Sequence, residues 1–258
     1  MQELWKAFRL WPIYWRLGAQ DVRLRFRRSS LGAAWIFLHM GLSVATIGVV
    51  FGGLFGQPLR DFLPSLAAGL IVWTFLVSAV TEGGAAFLHA EGYIKQIGLP
   101  IYVYCLRTVV AVTLNLLLTL PVFVVVAAVS GLVPGPGLLW FVPGLALLVG
   151  FAAACSLLLS FLVVRFRELA QVIPAAMQLA FYATPVLYPP EFLADRGLGW
   201  IARLNPLHHL LQVAREPLVR SRPADLDSYL VALGLLAALL LLAALTAWRL
   251  RRRIVYFL

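Results

Sequence analysis

The sequence predicts an all-α polytopic membrane protein, and three observations carry that reading. Of 258 residues, 62% are hydrophobic and only 12% charged, too little charge to cover the surface of a soluble domain of this length. Mean hydropathy is +0.91. The apolar residues fall in long stretches near the roughly 20 residues that a helix needs to cross a bilayer, and Arg clusters punctuate them. The full prediction is six transmembrane helices with an N-terminal amphipathic interface helix and outer re-entrant half-helices.

The chain opens with the interface element, assigned to residues 1–30. Phe8, Trp11, Trp15, Val22 and Phe26 recur at steps of three, four or their multiples, and Arg9, Arg16 and Arg23 fall on another face. Such a helix lies in the membrane interface with rings among acyl chains and guanidinium groups on phosphates. Arg16, Arg23, Arg25, Arg27 and Arg28 form its basic face. Pro12 is compatible if it opens a helical segment. A plain membrane anchor explains the same pattern; a docking surface for a partner is the functional reading.

The transmembrane domain occupies 31–258. Its six spans are read at 33–56, 64–84, 107–131, 138–164, 169–188 and 229–248. Pro174 and Pro185 break the fifth, which membrane helices tolerate where neighbours satisfy the freed carbonyls. Cys105 and Cys155 read as small membrane residues, and the four histidines show no metal-ligand spacing. His39 and Glu82, near one depth in the first two spans, could pair; snorkelling or local capping is the simpler reading.

Residues 85–106 are the one sizeable inner loop. Within it Glu91, Gly92, Tyr93, Ile94, Lys95 and Gln96 form a short polar helix that Gly98 and Pro100 end. The loop is apolar for a connector, with Phe87, Tyr93, Ile94 and Ile97, as a partner-binding element would be. Residues 189–225 are the unusual outer segment. Pro189 and Pro190 stop the fifth span, and two stretches at 190–203 and 206–220, joined at Asn205 and Pro206, are too short to span. Leu207, Leu210, Leu211 and Ala214 form one stripe.

With the N-terminus inside, 15 of the 21 Lys and Arg residues face the cytoplasm, which supports both termini inside. Five of the six outer arginines lie in 190–225 beside Glu191, Asp195, Glu216, Asp225 and Asp227. The net charge of +10 sits at membrane edges and points to anionic lipids, not nucleic acid. The first apolar span starts too late for a cleavable signal peptide.

No catalytic or metal-binding residues emerge. Neither lysine, Lys6 nor Lys95, follows a phosphate-loop glycine pattern, and no Ser stands in G-x-S-x-G. Intramembrane charges are too few for an ion-coupled carrier, and no inverted repeat is evident. A membrane glycosyl- or phospho-sugar transferase would need inner-face carboxylates. Aromatic rings pack on the axial C–H groups of sugars, so Trp35, Trp73, Phe75, Phe181 and Tyr182 are candidate pore residues; belt or packing roles account for most rings of this kind.

The run from Asp21 to Trp35 (DVRLRFRRSSLGAAW) resembles the entry to the first span in permease subunits of ATP-binding-cassette polysaccharide exporters, most closely the O-antigen and polyol-phosphate branch. GLIVW (69–73), EGYIKQIGLP (91–100), RFRELAQV (165–172), TPVLYPPE (184–191), LNPLHHLL (204–211) and RRRIVYFL (251–258) extend the likeness over nearly the whole chain. Ala33-Ala34 stands where Gly-Pro is expected.

The resemblance implies a homodimeric permease in the bacterial inner membrane, bound to two separate ATPase subunits. ATP and Mg belong to the partner; this chain itself holds no cofactor. It implies a coupling helix around Glu91–Gly98, an exit gate at 190–220, and a lipid-linked glycan threaded outward. ATP closure of the partner dimer would move the coupling helices and rock the permeases. A polymer conduit binds weakly at many places. A superfamily exporter for a drug, a lipid, or a capsule or teichoic-type polymer would share the topology.

Overall fold

The computed structural model describes residues 2–25, 27, 30–32, 34–56, 58–133, 135–188, 192–193 and 195–250, and helices and their connections account for all of them. The helices are α1 (Gln2–Arg9), α2 (Trp11–Arg25), α3 (Ala34–Phe55), α4 (Leu59–Gly84), α5 (Ala86–His89), α6 (Glu91–Gln96) and α7 (Tyr102–Ser130). They continue with α8 (Phe141–Arg165), α9 (Leu169–Ala183), α10 (Gly199–Leu204), α11 (Pro206–Arg220) and α12 (Leu226–Leu250). A 3-10 turn, Pro136–Trp140, leads into α8. Five helices, α3, α4, α7, α8 with its leading turn, and α12, are long and apolar enough to cross a membrane.

The fifth expected span is a half-length helix. α9 has 15 residues, about 22 Å at 1.5 Å per residue, against roughly 30 Å of hydrocarbon. It stops because Thr184 precedes Pro185, whose ring pushes the preceding residue out of the α region; Thr184 is extended, at φ −105° and ψ 129°. Pro174 lies inside the helix and does not end it. The third span begins earlier than expected, so Arg107 lies in its second turn.

Helix α4 is the centre of the bundle and packs against α3, α7, α8, α9 and α11. It buries both its large residues, such as Leu66, Ile71 and Leu76, and a run of small ones. Gly83 lies against the backbone of Ser156 in α8, where a Cβ would come within 3.1 Å of Ser156 Cα. Small residues let membrane helices approach until their backbones touch, and dispersion then holds them. A second, smaller core sits at one end of the bundle, where Phe87, Tyr104, Cys105 and Phe161 pack beneath α1. This end collects Lys6, Arg9, Arg16, Arg23, Arg25, Lys95, Arg107, Arg165, Arg167 and Arg249 and is called the basic end below.

Helices α3, α9 and α12 bury little in the single chain; α9 buries only Met177. α12 buries Ser228, Ala232 and Ala243.

Candidate functional site

Three features of the sequence mark candidate sites, two of them at the basic end. The first is the interface helix, which forms as two pieces. α1 ends at Arg9 and α2 opens at Trp11, so Pro12 falls in the first turn of the second piece, where its missing N–H costs nothing. The small residues Ala7, Gly18 and Val22 face the protein, and Trp5, Phe8, Trp11 and Trp15 face outward. Val22 thus leaves the aromatic face to which its spacing assigned it. Gly18 explains why: a Cβ there would lie 2.6 Å from the Arg107 carbonyl and 2.8 Å from Val110, so contact with α7 fixes the rotation of α2.

Two ion pairs secure that docking. Arg107 donates through Nε to Asp21 Oδ2 and through Nη2 to Asp21 Oδ1, both at 2.5 Å. Arg25 donates through both terminal nitrogens to the Glu82 carboxylate. Asp21 and Arg25 lie four apart on α2 and so project to one side. The helix offers an acid and a base, one turn apart, to a base on α7 and an acid on α4. Arg25 is therefore engaged by protein although its side chain is 43% exposed; Arg16, Arg23 and Arg27 are exposed as well. Arg28 lies outside the described residues. Glu82 takes Arg25 as its partner, and His39 is exposed.

The second feature is the loop between α4 and α7. Glu91 to Gln96 form α6, which buries none of its residues. Lys95 Nζ donates to Glu91 Oε1 at 2.6 Å one turn away, and this holds the Glu91 carboxyl below the usual range. Phe87, expected among the exposed apolar residues, is fully buried edge-on to Phe161 at 5.0 Å. It roots the loop, and Ile94 packs partly against the same cluster. Gly92, Tyr93, Lys95, Gln96 and Ile97 remain outward. The Arg107 guanidinium lies 5.2 Å from the Tyr93 ring centroid, within cation–π range. One arginine therefore touches both the interface helix and the loop helix.

The third feature lies toward the opposite end. Asn205 caps α11 by accepting from the Leu207 N–H at 2.9 Å, and donates to Thr184 Oγ1 at 2.7 Å and to the Ala183 carbonyl at 3.3 Å. Pro206 opens the helix, where a proline fits best. This joint ties the end of α9 to the start of α11. Helix α11 is embedded: Leu210, Leu211, Val213 and Ala214 are buried against α4, α8 and α12. His209 donates from Nε2 to the Arg203 carbonyl at 2.9 Å and accepts at Nδ1 from the Ser228 hydroxyl at 3.0 Å. By contrast α10 exposes Trp200 and Leu204 and buries only Ala202. Pro189 and Pro190 lie outside the described residues, as does 251–258.

The five aromatics singled out in the sequence separate by position. Trp73 and Phe75 are buried within the chain, at 6% and 3% exposure, whereas Trp35 and Tyr182 are half-exposed or more, at 51% and 66%. Phe181 joins the two groups, with its ring centroid 5.5 Å from Trp73 and 5.8 Å from Tyr182. Sequence reasoning missed Arg215, 4% exposed, which donates from Nη1 to the Pro185 carbonyl at 2.9 Å and from Nε to Gln212 Oε1 at 3.2 Å. An arginine in an otherwise apolar stripe of α11 was its signal, since a buried charge requires partners.

The family model described as "ABC-2 type transporter" matches residues 13–219. This chain belongs to that family, as a multi-pass membrane subunit of a transporter. Among curated proteins, the O-antigen export system permease protein RfbA of Myxococcus xanthus is 26% identical over 234 residues, 90% of each chain. Two proteins of the same name from Klebsiella pneumoniae are 28% and 27% identical over 198 residues, 76% of each chain.

Proposed function

We propose that this chain is the channel-forming subunit of an ATP-driven exporter that moves a lipid-linked, O-antigen-like surface polysaccharide across the bacterial inner membrane. The observation that carries the proposal is the family match together with relatives, all named O-antigen export permeases, that align over as much as 90% of both chains. Two copies form the conduit, with N- and C-termini in the cytoplasm. Two separate ATPase subunits hold ATP and Mg and hydrolyse the nucleotide. The strong bias of Lys and Arg to the basic end supports that orientation.

Within this reading α6 is the coupling helix. Its exposed Gly92, Tyr93, Lys95 and Gln96 present a surface to the ATPase, and buried Phe87 roots the loop that carries it. Arg16, Arg23 and Arg27 of the interface helix bind anionic headgroups, at about 1 kcal/mol each near the surface. The exit gate lies in the segment between α9 and α12, with Asn205 and Pro206 at its bend. Among the aromatics, Trp35, Phe181 and Tyr182 contact the glycan in this reading. Trp73 backs Phe181, and Phe75 packs in the subunit interior.

The test is reconstitution. The permease with its cognate ATPase subunit, in proteoliposomes, should hydrolyse ATP faster when a lipid-linked O-antigen glycan is present, and the permease alone should show no hydrolysis. Hydrolysis by the isolated chain, or stimulation by drugs or phospholipids but not by the glycan, overturns the proposal.

A further inference from the structure

Two adjoining cavities flank the Arg25–Glu82 pair at the basic end. One, of about 290 Å³, is lined by Asp21, Arg25, Glu82, His89, Arg107 and Thr108, among others. The second, of about 150 Å³, shares Arg25 and Glu82 and is lined on its far side by Ile36, Ile71, Phe75, Val112 and Leu116. Phe75 is seven residues from Glu82 along α4, about 10 Å deeper in the bundle. Charge therefore falls along the cleft from the basic end inward: beyond Arg25 and Glu82 the inner cavity adds no charged side chain, only apolar ones and the neutral Thr74, Ser78, Asn115 and Thr119. Thr74 is exposed and Ser78 and Asn115 are partly exposed along this track, so the cleft opens at the protein surface.

The charged side chains that line the outer cavity need a polar occupant, because hydrocarbon satisfies none of their hydrogen bonds. The charges define that occupant. Two guanidinium groups and two carboxylates balance, so a diphosphate or a single anionic phosphate would bring unmatched negative charge against Asp21 and Glu82. A headgroup bearing a phosphate and an ammonium matches both signs. Arg107 also retains an unmet donor: Nε and Nη2 bind Asp21, while Nη1 is buried without a hydrogen-bond partner among the described residues. That nitrogen is enclosed by protein, so a phosphate in the cleft is drawn to Arg107 by its charge.

We propose that this cleft is a binding site for a zwitterionic phospholipid of the phosphatidylethanolamine type. Its phosphate lies toward Arg107 and Arg25, its ammonium toward Glu82 and Asp21, and the start of one acyl chain lies in the inner cavity. The proposal does not rest on the identity of the cargo.

The full chain is purified in detergent with equimolar palmitoyl-oleoyl phosphatidylethanolamine and phosphatidylglycerol, and retained lipid is counted by native mass spectrometry. Phosphatidylethanolamine should be retained at least threefold over phosphatidylglycerol. Arg25→Gln should lower that retention about tenfold. Thr108→Leu, which fills the outer cavity and leaves both ion pairs intact, should do the same with unchanged helical circular dichroism. Equal or greater retention of phosphatidylglycerol overturns the proposal, as does tighter retention of an added polyprenyl diphosphate, which would make the cleft a cargo site. Retention unchanged in Thr108→Leu, or no retained lipid in the wild type, also overturns it.

Discussion

Arg107 on the third long helix and Asp21 on the interface helix form a two-point ion pair, both hydrogen bonds at 2.5 Å, across 86 positions of sequence. The two side chains are 14% and 25% exposed, so the pair is shielded enough to matter. Bidentate guanidinium–carboxylate contacts fix direction as well as distance. The Arg25–Glu82 pair one turn further along α2 has the opposite polarity, so sliding α2 by one turn would set like charges together.

Asp21→Arg should therefore destabilise docking of α2 by about 1–3 kcal/mol, because Arg107 loses its partner and meets a like charge. The double variant Asp21→Arg with Arg107→Asp should recover most of the loss. Thermal unfolding of the purified chain in nanodiscs measures both. No recovery in the double variant would mean that the charges act independently.

Gly18→Leu should displace α2 from α7, since the space beyond its Cα is occupied by the Arg107 carbonyl and Val110. Overpacking of this kind costs about 1–3 kcal/mol. A cysteine at Val22, buried in the wild type, should become reactive to maleimide in that background. Unchanged protection would place the contact elsewhere.

Asn205→Ala should remove the cap of α11 and the link to Thr184 together, at about 1–2 kcal/mol. Thr184→Val removes the link alone and should cost less. Hydrogen exchange of the Leu207 amide separates the two, rising in the first variant and staying slow in the second.

Tyr93→Asp should reduce export while membrane insertion is kept, since Tyr93 lies on the exposed side of α6. Ile94→Asp should in addition loosen the loop, because Ile94 packs partly against the smaller core. Export in cells and co-purification of the ATPase subunit are the measurements. Normal export with normal ATPase binding in both would remove α6 from the coupling role.

Glu91 titrates below the ordinary carboxylate range because Lys95 donates to its charged form. A depressed folded value means that the stabilisation is present above the unfolded pKa of about 4.3 and disappears as pH falls through the lower folded value. Lys95→Ala should return the Glu91 titration, followed by NMR of a labelled side chain, to the ordinary range. The pair is exposed, so its effect should also shrink in high salt.

Much of this architecture was legible in the sequence because apolar length is a strong signal. The spans ending near Phe55, Gly84, Ser130, Arg165 and Leu250 follow from it. The fifth was overextended because its apolar run continues through Val186 and Leu187, while the Pro185 ring had already ended the helix at Ala183. The interface helix was visible as a helix, but not its rotation. Periodicity grouped Val22 with the aromatics, and only the backbone contact at Gly18 turns it inward. Arg25 was read with the lipid-facing arginines because its partner, 57 residues away, cannot be paired with it by spacing. The stretch at 206–220 was read as a re-entrant half-helix, but not the closeness of its packing, which rests on Gly144 of α8, where a Cβ would come 2.2 Å from the Val213 carbonyl.

The two ion pairs also impose an order on biogenesis. A ribosome delivers Asp21 and Arg25 long before Glu82 and Arg107, which follow 57 and 86 positions later. Until the second long helix has been released from the translocon, Arg25 has only Asp21, one turn away on α2, as a counter-charge, and Asp21 waits for Arg107 on the third. The N-terminal segment therefore cannot complete its docking until α4 and α7 are both in place. A chain threaded with α4 inverted would take Glu82 away from Arg25, and one with α7 inverted would take Arg107 away from Asp21, so either fault leaves α2 held at one point instead of two.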